Sequence, residues 1–259
     1  MKALLEMKNV SAGYSVSVRY RGRRGKPALS GIDLTVKEGE LLVLAGPNGS
    51  GKTTLLKTAA GLLPPMEGSV IINGRDAAEL KPRERAAFTA FLFQVRDSPW
   101  PFTVRETIRQ GRFAHRGWLG AETKTDREAV NSALEKAHLG DLAERPITEL
   151  SGGELQRVYI ARSIAQGAAL LLLDEPENNL DPKYSYMILT LIETLVQEGR
   201  SAIVSLHDLR LAARFAHRIA LLSLNGTIYT VGTAAEVLTE ENLGKVFDLE
   251  HELIRSMVL

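Results

Sequence analysis

The chain has 259 residues, of which 44% are hydrophobic and 24% charged. This length and balance describe a globular protein with room for a sizeable core, and exclude disorder and collagen-like repeats. A formal charge of +1 argues against a protein whose main task is coating nucleic acid, and the absence of cysteine excludes disulfide frameworks, thiolate metal sites and cysteine nucleophiles. No apolar run approaches the ~18 residues a membrane helix needs. The first ten residues lack the layout of a secretion signal, so a reducing cytoplasm is the expected setting.

Short apolar runs alternate with longer amphipathic segments. Leu41–Ala45 reads as a buried strand, and Gly46-Pro47-Asn48-Gly49-Ser50-Gly51-Lys52-Thr53 follows it. That octet matches G-x-x-x-x-G-K-[ST] and opens a helix at Thr54–Leu63, which is the context the motif requires. Glycines let main-chain N–H groups turn inward around phosphate oxygens, and the helix N-terminus adds a positive dipole. Lys52 can then reach the β- and γ-phosphates of a nucleotide, and the Thr53 hydroxyl can ligate Mg²⁺. Asn73-Gly74 predicts a hairpin turn, because both residues tolerate positive φ. Phe88–Phe93 reads as a second buried strand, closed by Gln94.

From about Ser98 to Leu150 the chain is mostly helical, with a helix over Arg127–Ala137, and reads as an insertion. Leu150–Arg157 begins another helix, Glu154–Gln166. Ser151 with Glu154 makes a capping box there, and Gly152 and Gly153 leave first-turn amides open to an anion. Leu170–Leu173 is a strand ending in Asp174 and Glu175. Asp174 can hold the shell of Mg²⁺, and Glu175 can polarise a water for in-line attack on a γ-phosphate. A helix at Tyr184–Gln197, a strand at Ala202–Ser205 and a hairpin at Asn225-Gly226 complete the pattern. Strands alternating with helices predict an α/β fold with a parallel core, accompanied by antiparallel hairpins.

Taken together and in this order, the motifs resemble the ATP-binding cassette (ABC) ATPase family. Leu150-Ser151-Gly152-Gly153-Glu154 looks like that family's signature, lying between Gln94 and the Asp174-Glu175 strand, with His207 beyond. The resemblance covers nearly the whole chain. It implies a P-loop NTPase (RecA-like) core with a mostly parallel sheet, an antiparallel β subdomain and an inserted helical subdomain. The catalytic lobe would occupy 1–93 and 156–259, and the helical subdomain about 94–155, in one ABC ATPase domain. In such proteins an aromatic residue stacks on adenine, and Tyr14 occupies the matching place, with Tyr20 as competitor. The resemblance further implies that Gly46 to Thr53 and Thr54 hold the ATP phosphates, that Thr53, Gln94 and Asp174 surround Mg²⁺, and that Lys52, Gln94, Glu175 and His207 serve hydrolysis. Asn179-Leu180-Asp181 resembles the loop that touches the opposite subunit. The implied assembly is a head-to-tail homodimer. Each ATP lies between Lys52 of one chain and Ser151, Gly152, Gly153 and Asp181 of the other.

Two departures stand out. Glu177 follows Pro176 where the family commonly has Thr or Ser, and Arg19–Lys26 is a basic insertion. A soluble ABC ATPase acting on DNA, ribosomes or cofactor assembly is the alternative to a transporter subunit. The roughly 55 residues between Gln94 and the signature carry no sustained heptads, which disfavours the DNA-tethering relatives. Phe102–Ile108 and Gly111–His115 resemble the ATPases of metal-chelate uptake, which serve siderophores, haem and vitamin B12, although Ala114 stands where Pro is usual. The expected partners are integral-membrane permease subunits and, indirectly, a periplasmic or lipoprotein solute-binding protein, with no nucleic acid. The expected place is the cytoplasmic face of the membrane. The region from Gln94 to His115, with Trp100 and Phe102, is the expected groove for a short permease helix.

Overall fold

The computed structural model describes residues 2–14, 27–93, 100–116 and 120–248. The first half runs β1 (Ala3–Ala12), β2 (Leu29–Lys37), β3 (Leu41–Ala45), α1 (Lys52–Ala59), β4 (Glu67–Ile72), β5 (Arg75–Asp76), α2 (Pro82–Phe88) and β6 (Thr89–Leu92). Helices α3 (Val104–Arg109), α4 (Lys124–Lys136) and α5 (Gly152–Gln166) come next. Then follow β7 (Leu170–Asp174), α6 (Pro182–Gln197), β8 (Ser201–Ser205), α7 (Leu209–Phe215), β9 (Arg218–Leu222), β10 (Ile228–Gly232), α8 (Ala234–Val237) and α9 (Glu240–Phe247).

The central sheet has the order β10-β9-β3-β8-β7-β6. Its strands are parallel except for β10, which returns antiparallel along β9. A second, fully antiparallel sheet has the order β2-β1-β4-β5. The unbroken apolar strands follow from a sheet covered on both faces. Leu41, Val43, Leu171, Leu173, Ala202 and Val204 enter one core, which α3 to α9 complete. Leu42, Leu44, Leu170, Leu172 and Ile203 enter the other, shared with α1 and the antiparallel sheet. Alternate residues of a strand point to opposite faces, so the same five-residue runs feed both cores.

The expected strands lie within a residue or two of the observed ones, and both Asn-Gly pairs fall between antiparallel strands. Asn73 and Gly74 have φ of 48° and 77°, the positive pair a tight turn of this kind requires. Helix α1 stops earlier than its apolar pattern suggested. Leu62 N donates to Lys57 O and Gly61 N to Thr58 O, with Gly61 at φ 67°. This closing motif ends the helix through the left-handed glycine and turns Leu62 outward.

The helical layer is pinned by a buried ionic cluster. Arg112 Nε donates to Asp126 Oδ1 at 2.9 Å and Arg116 Nε to Asp126 Oδ2 at 3.1 Å, while Arg112 also reaches Ala165 O on α5. Burial alone would raise the Asp126 carboxyl. The hydrogen bonds from Arg112 and Thr123, with nearby Arg116, outweigh burial and hold it well below the usual carboxylate range. A depressed carboxyl contributes stability above its unfolded value and loses it as pH falls through the folded one. Asp126→Asn is therefore expected to cost about 3 kcal/mol at neutral pH, because two buried guanidinium groups lose their anion. Urea unfolding checks this, and the gap from the parent chain should narrow in strong acid.

Candidate active site

The loop from Gly46 to Thr53 joins β3 to α1 at one end of the parallel sheet. Gly46 has φ 143°, and a Cβ there would stand 2.4 Å from Leu222 O, so only glycine lets the chain leave β3 at this angle. Gly51 caps α1 in the left-handed region, and no side chain caps that helix or places an acid in its first turn. By contrast α3, α4, α5, α6, α7 and α9 each have a side-chain cap. The first amides of α1 thus remain open to an anion.

Other atoms in the loop also await a partner. The Ser50 hydroxyl is buried without a hydrogen bond among the described residues. Lys52 is 5% exposed, and its ammonium donates to Gly46 O at 2.8 Å and Pro47 O at 3.1 Å. Burial pulls its pKa down, against the opposing pull of Glu175, Asp174 and Glu177. The Thr53 hydroxyl is half-buried and has no hydrogen bond among the described residues. Thr54 is buried and its carbonyl accepts from Thr58 Oγ1.

The acids come from the end of β7. Asp174 pairs across the sheet with Ser205 of β8, whose hydroxyl donates to Asp174 Oδ1 at 2.9 Å and accepts from Glu175 N at 2.9 Å. Glu175 sits at φ 50°, a left-handed conformation that costs a non-glycine residue about 1 kcal/mol. Its Oε1 lies 2.6 Å from His207 Nε2, and its Oε2 accepts from Asn178 Nδ2 at 3.0 Å. Glu177 is 8% exposed and accepts from His207 N at 3.1 Å. The fold therefore gathers Lys52, Asp174, Glu175, Glu177 and His207 around the mouth of the loop.

Tyr14 is exposed, and Lys57 of α1 donates to its hydroxyl at 3.1 Å while lying 6.0 Å from the centre of the Phe93 ring. Gln94, Tyr20 and the basic run Arg19–Lys26 fall outside the described residues. Ser151 caps α5 in a closed capping box with Glu154, whose carboxyl is held low by hydrogen bonds from the Ser151 hydroxyl and main chain. Asp181 caps α6 through Tyr184 N. Among the described residues no hydrogen bond or ion pair joins Ser151, Gly152, Gly153 or Asp181 to the loop at Gly46–Thr53.

Ser205, Asn178 and Lys57 carry no role in the reading of the motifs. Only Ser205 left a usable signal, a hydroxyl ending a strand that pairs with one ending in an acid. Trp100, Phe102 and Phe113 are exposed rather than core residues. Beside Phe113, Lys81, Arg83, Glu84, Ala87, Ala114 and His115 line an open groove of ≈ 520 Å³. Arg83 ties its two sides by donating to Ala114 O and His115 O. Among the described residues no helix is long and apolar enough to cross a membrane.

Residues 29–178 match the family described as ABC transporter. The chain is 39% identical over 224 residues to the iron(3+)-hydroxamate import ATP-binding protein FhuC of Bacillus subtilis (strain 168), covering 86% of this chain and 83% of the relative. It is 41% identical over 225 residues to the hemin import ATP-binding protein HmuV of Streptomyces coelicolor, covering 86% and 79%. The ATP-binding cassette MJ0796, solved as a dimer in a post-hydrolysis state with ADP and Pi, superimposes with a TM-score of 0.76 at 30% identity, covering 89% of this chain and 98% of that one.

Proposed function

This chain belongs to the ABC transporter family and is an ATPase, and on that premise we propose that it drives uptake of an iron chelate or a related metal chelate, such as a siderophore complex, haem or cobalamin. Hydrolysis rests on one observation above all: buried Lys52 lies among Asp174, Glu175 and Glu177 beside a loop whose Ser50 hydroxyl is unpaired among the described residues. That is a cationic pocket for phosphate edged by carboxylates. The choice of cargo rests on the hydroxamate and hemin import relatives.

The open amides of α1, Ser50 and Lys52 take the phosphate oxygens of ATP, and Lys52 exchanges two loop carbonyls for them. The Thr53 hydroxyl and the Asp174 carboxylate suit Mg²⁺, a hard cation that takes oxygen ligands and would neutralise charge on the phosphates. Gln94 joins them in this reading, and Tyr14 stacks on adenine. Glu175 accepts the proton of the attacking water. To do so it must release His207, which is then free to donate to the γ-phosphate. Ser151 to Gly153 and Asp181 serve the site of a second copy, in a head-to-tail homodimer.

The groove between α2 and the Gln110–Ala114 turn, with Phe113 beside it, is the docking place for a short helix of a membrane permease. The chain thereby works at the cytoplasmic face of the membrane, and a solute-binding protein delivers cargo on the other side. Purification of the tagged chain from its native membranes tests this reading. A polytopic permease in equal amount is the expected result. Recovery solely from the soluble fraction, with no membrane partner, would overturn the transporter assignment and leave the ATPase.

A further inference from the structure

Glu177 is a buried acid to which the reaction above assigns no step. One oxygen accepts from His207 N, while Oε2 is buried with no hydrogen-bond partner among the described residues. Burial pushes the carboxyl up from its ordinary value. A half-satisfied buried carboxylate costs stability. Features that break local rules in this way gather at functional sites.

The surroundings give the function. β7 and β8 are neighbours in the sheet, and Ser205 ties their last residues together. Beyond the strand ends the ladder stops, and Glu177 reaches from one loop to the main chain of the other. The residue it holds, His207, carries the ring that meets Glu175 Oε1 at 2.6 Å. Asn178, next in the chain, holds the opposite oxygen, Oε2. Pro176 and the turn from Glu175 O to Asn178 N fix the spacing between these three side chains.

We propose that Glu177 is a positioning residue for hydrolysis: its hydrogen bond to the His207 main chain sets where the imidazole stands, against Glu175 at rest and within reach of the γ-phosphate once Glu175 lets it go. The inference deepens the reading of Glu175 and His207 as the hydrolytic pair and rests on it. It applies to a position where the sequence departs from the family's usual Thr or Ser.

The test compares steady-state ATP hydrolysis by the full chain with Glu177→Gln and Glu177→Met, each in the parent and in a His207→Ala background. Gln keeps an oxygen acceptor for the His207 N–H and is expected to hold kcat within about twofold. Met has similar reach and no such acceptor. It is expected to lower kcat about tenfold or more, as small misplacements of reacting groups do, with KM for ATP within about twofold. Its melting temperature should stay near that of the parent, because loss of the acceptor at the exposed His207 is offset by removal of a buried, unpartnered oxygen. In the His207→Ala background Glu177→Met should change kcat no further. A normal kcat in the Met variant overturns the proposal, as do equal losses in Gln and Met or an additive loss without His207. A Met variant that loses its fold also overturns it, since Glu177 would then be a structural acid. Fast turnover in Glu175→Gln or His207→Ala sinks the underlying pair instead. Slow turnover in both, with a normal Glu177→Met, sinks only the role of Glu177.

Discussion

Glu175→Gln is expected to slow ATP turnover by about 100- to 10,000-fold, the range over which a positioned general base acts. Glutamine has the shape of glutamate, so Oε1 can still meet His207 and the Ser205 link to the main chain is untouched. What disappears is the basic oxygen that takes the water's proton. ATP affinity should stay near that of the parent, because Lys52 and the α1 amides are unaltered. ATP should then hold the variant as a closed dimer, visible as an ATP-dependent shift in size-exclusion chromatography. Phosphate release at saturating ATP supplies the rate. Turnover near the parent rate would remove the base role from Glu175.

Lys52→Ala is expected to weaken ATP binding about 100-fold, or roughly 2–3 kcal/mol, the scale of a hydrogen bond to a charged group. The ammonium is already desolvated within the loop, so ATP meets a cation with little water to shed. Titration with a fluorescent ATP analogue measures the loss, and unchanged affinity would count against the loop as the phosphate site. The same variant tests the head-to-tail arrangement. Ser151→Arg should bind ATP in its own loop yet fail to turn it over. Mixed with Lys52→Ala, it should regain activity, because each mixed dimer then holds one site with Lys52 from one chain and Ser151 from the other. No regain from two folded, dimerising variants would rule that arrangement out.

Much of the fold was legible because strand and helix periods are local. Leu41–Ala45 matches the observed strand to the residue, since five apolar residues bounded by Glu40 and the turn-forming Gly46-Pro47 admit few other readings. Helix starts were less visible. α4 begins at Lys124 under a Thr123–Asp126 capping box and α6 at Pro182 under Asp181, but these first turns are polar and carry no apolar period. β1 was hidden by its shifts in register against both neighbours and by Asn9 at φ 49°, which break the alternation expected of a strand. At the site, the loop and the two acids were readable from spacing. The ties that orient them were not. Asn178 on Glu175 depends on how the chain turns after β7, and Lys57 on Tyr14 joins residues 43 positions apart.

Gly153 is not among the residues with positive φ, so its glycine is not there for backbone freedom. It is there for room. A Cβ at this position would stand 3.1 Å from Cγ of the Tyr184 ring, packed against the start of α5. In evolutionary terms residues 153 and 184 are then coupled: a lineage that placed a side chain at 153 would need the ring at 184 to give way by a few tenths of an ångström, so drift at either position is constrained by the other.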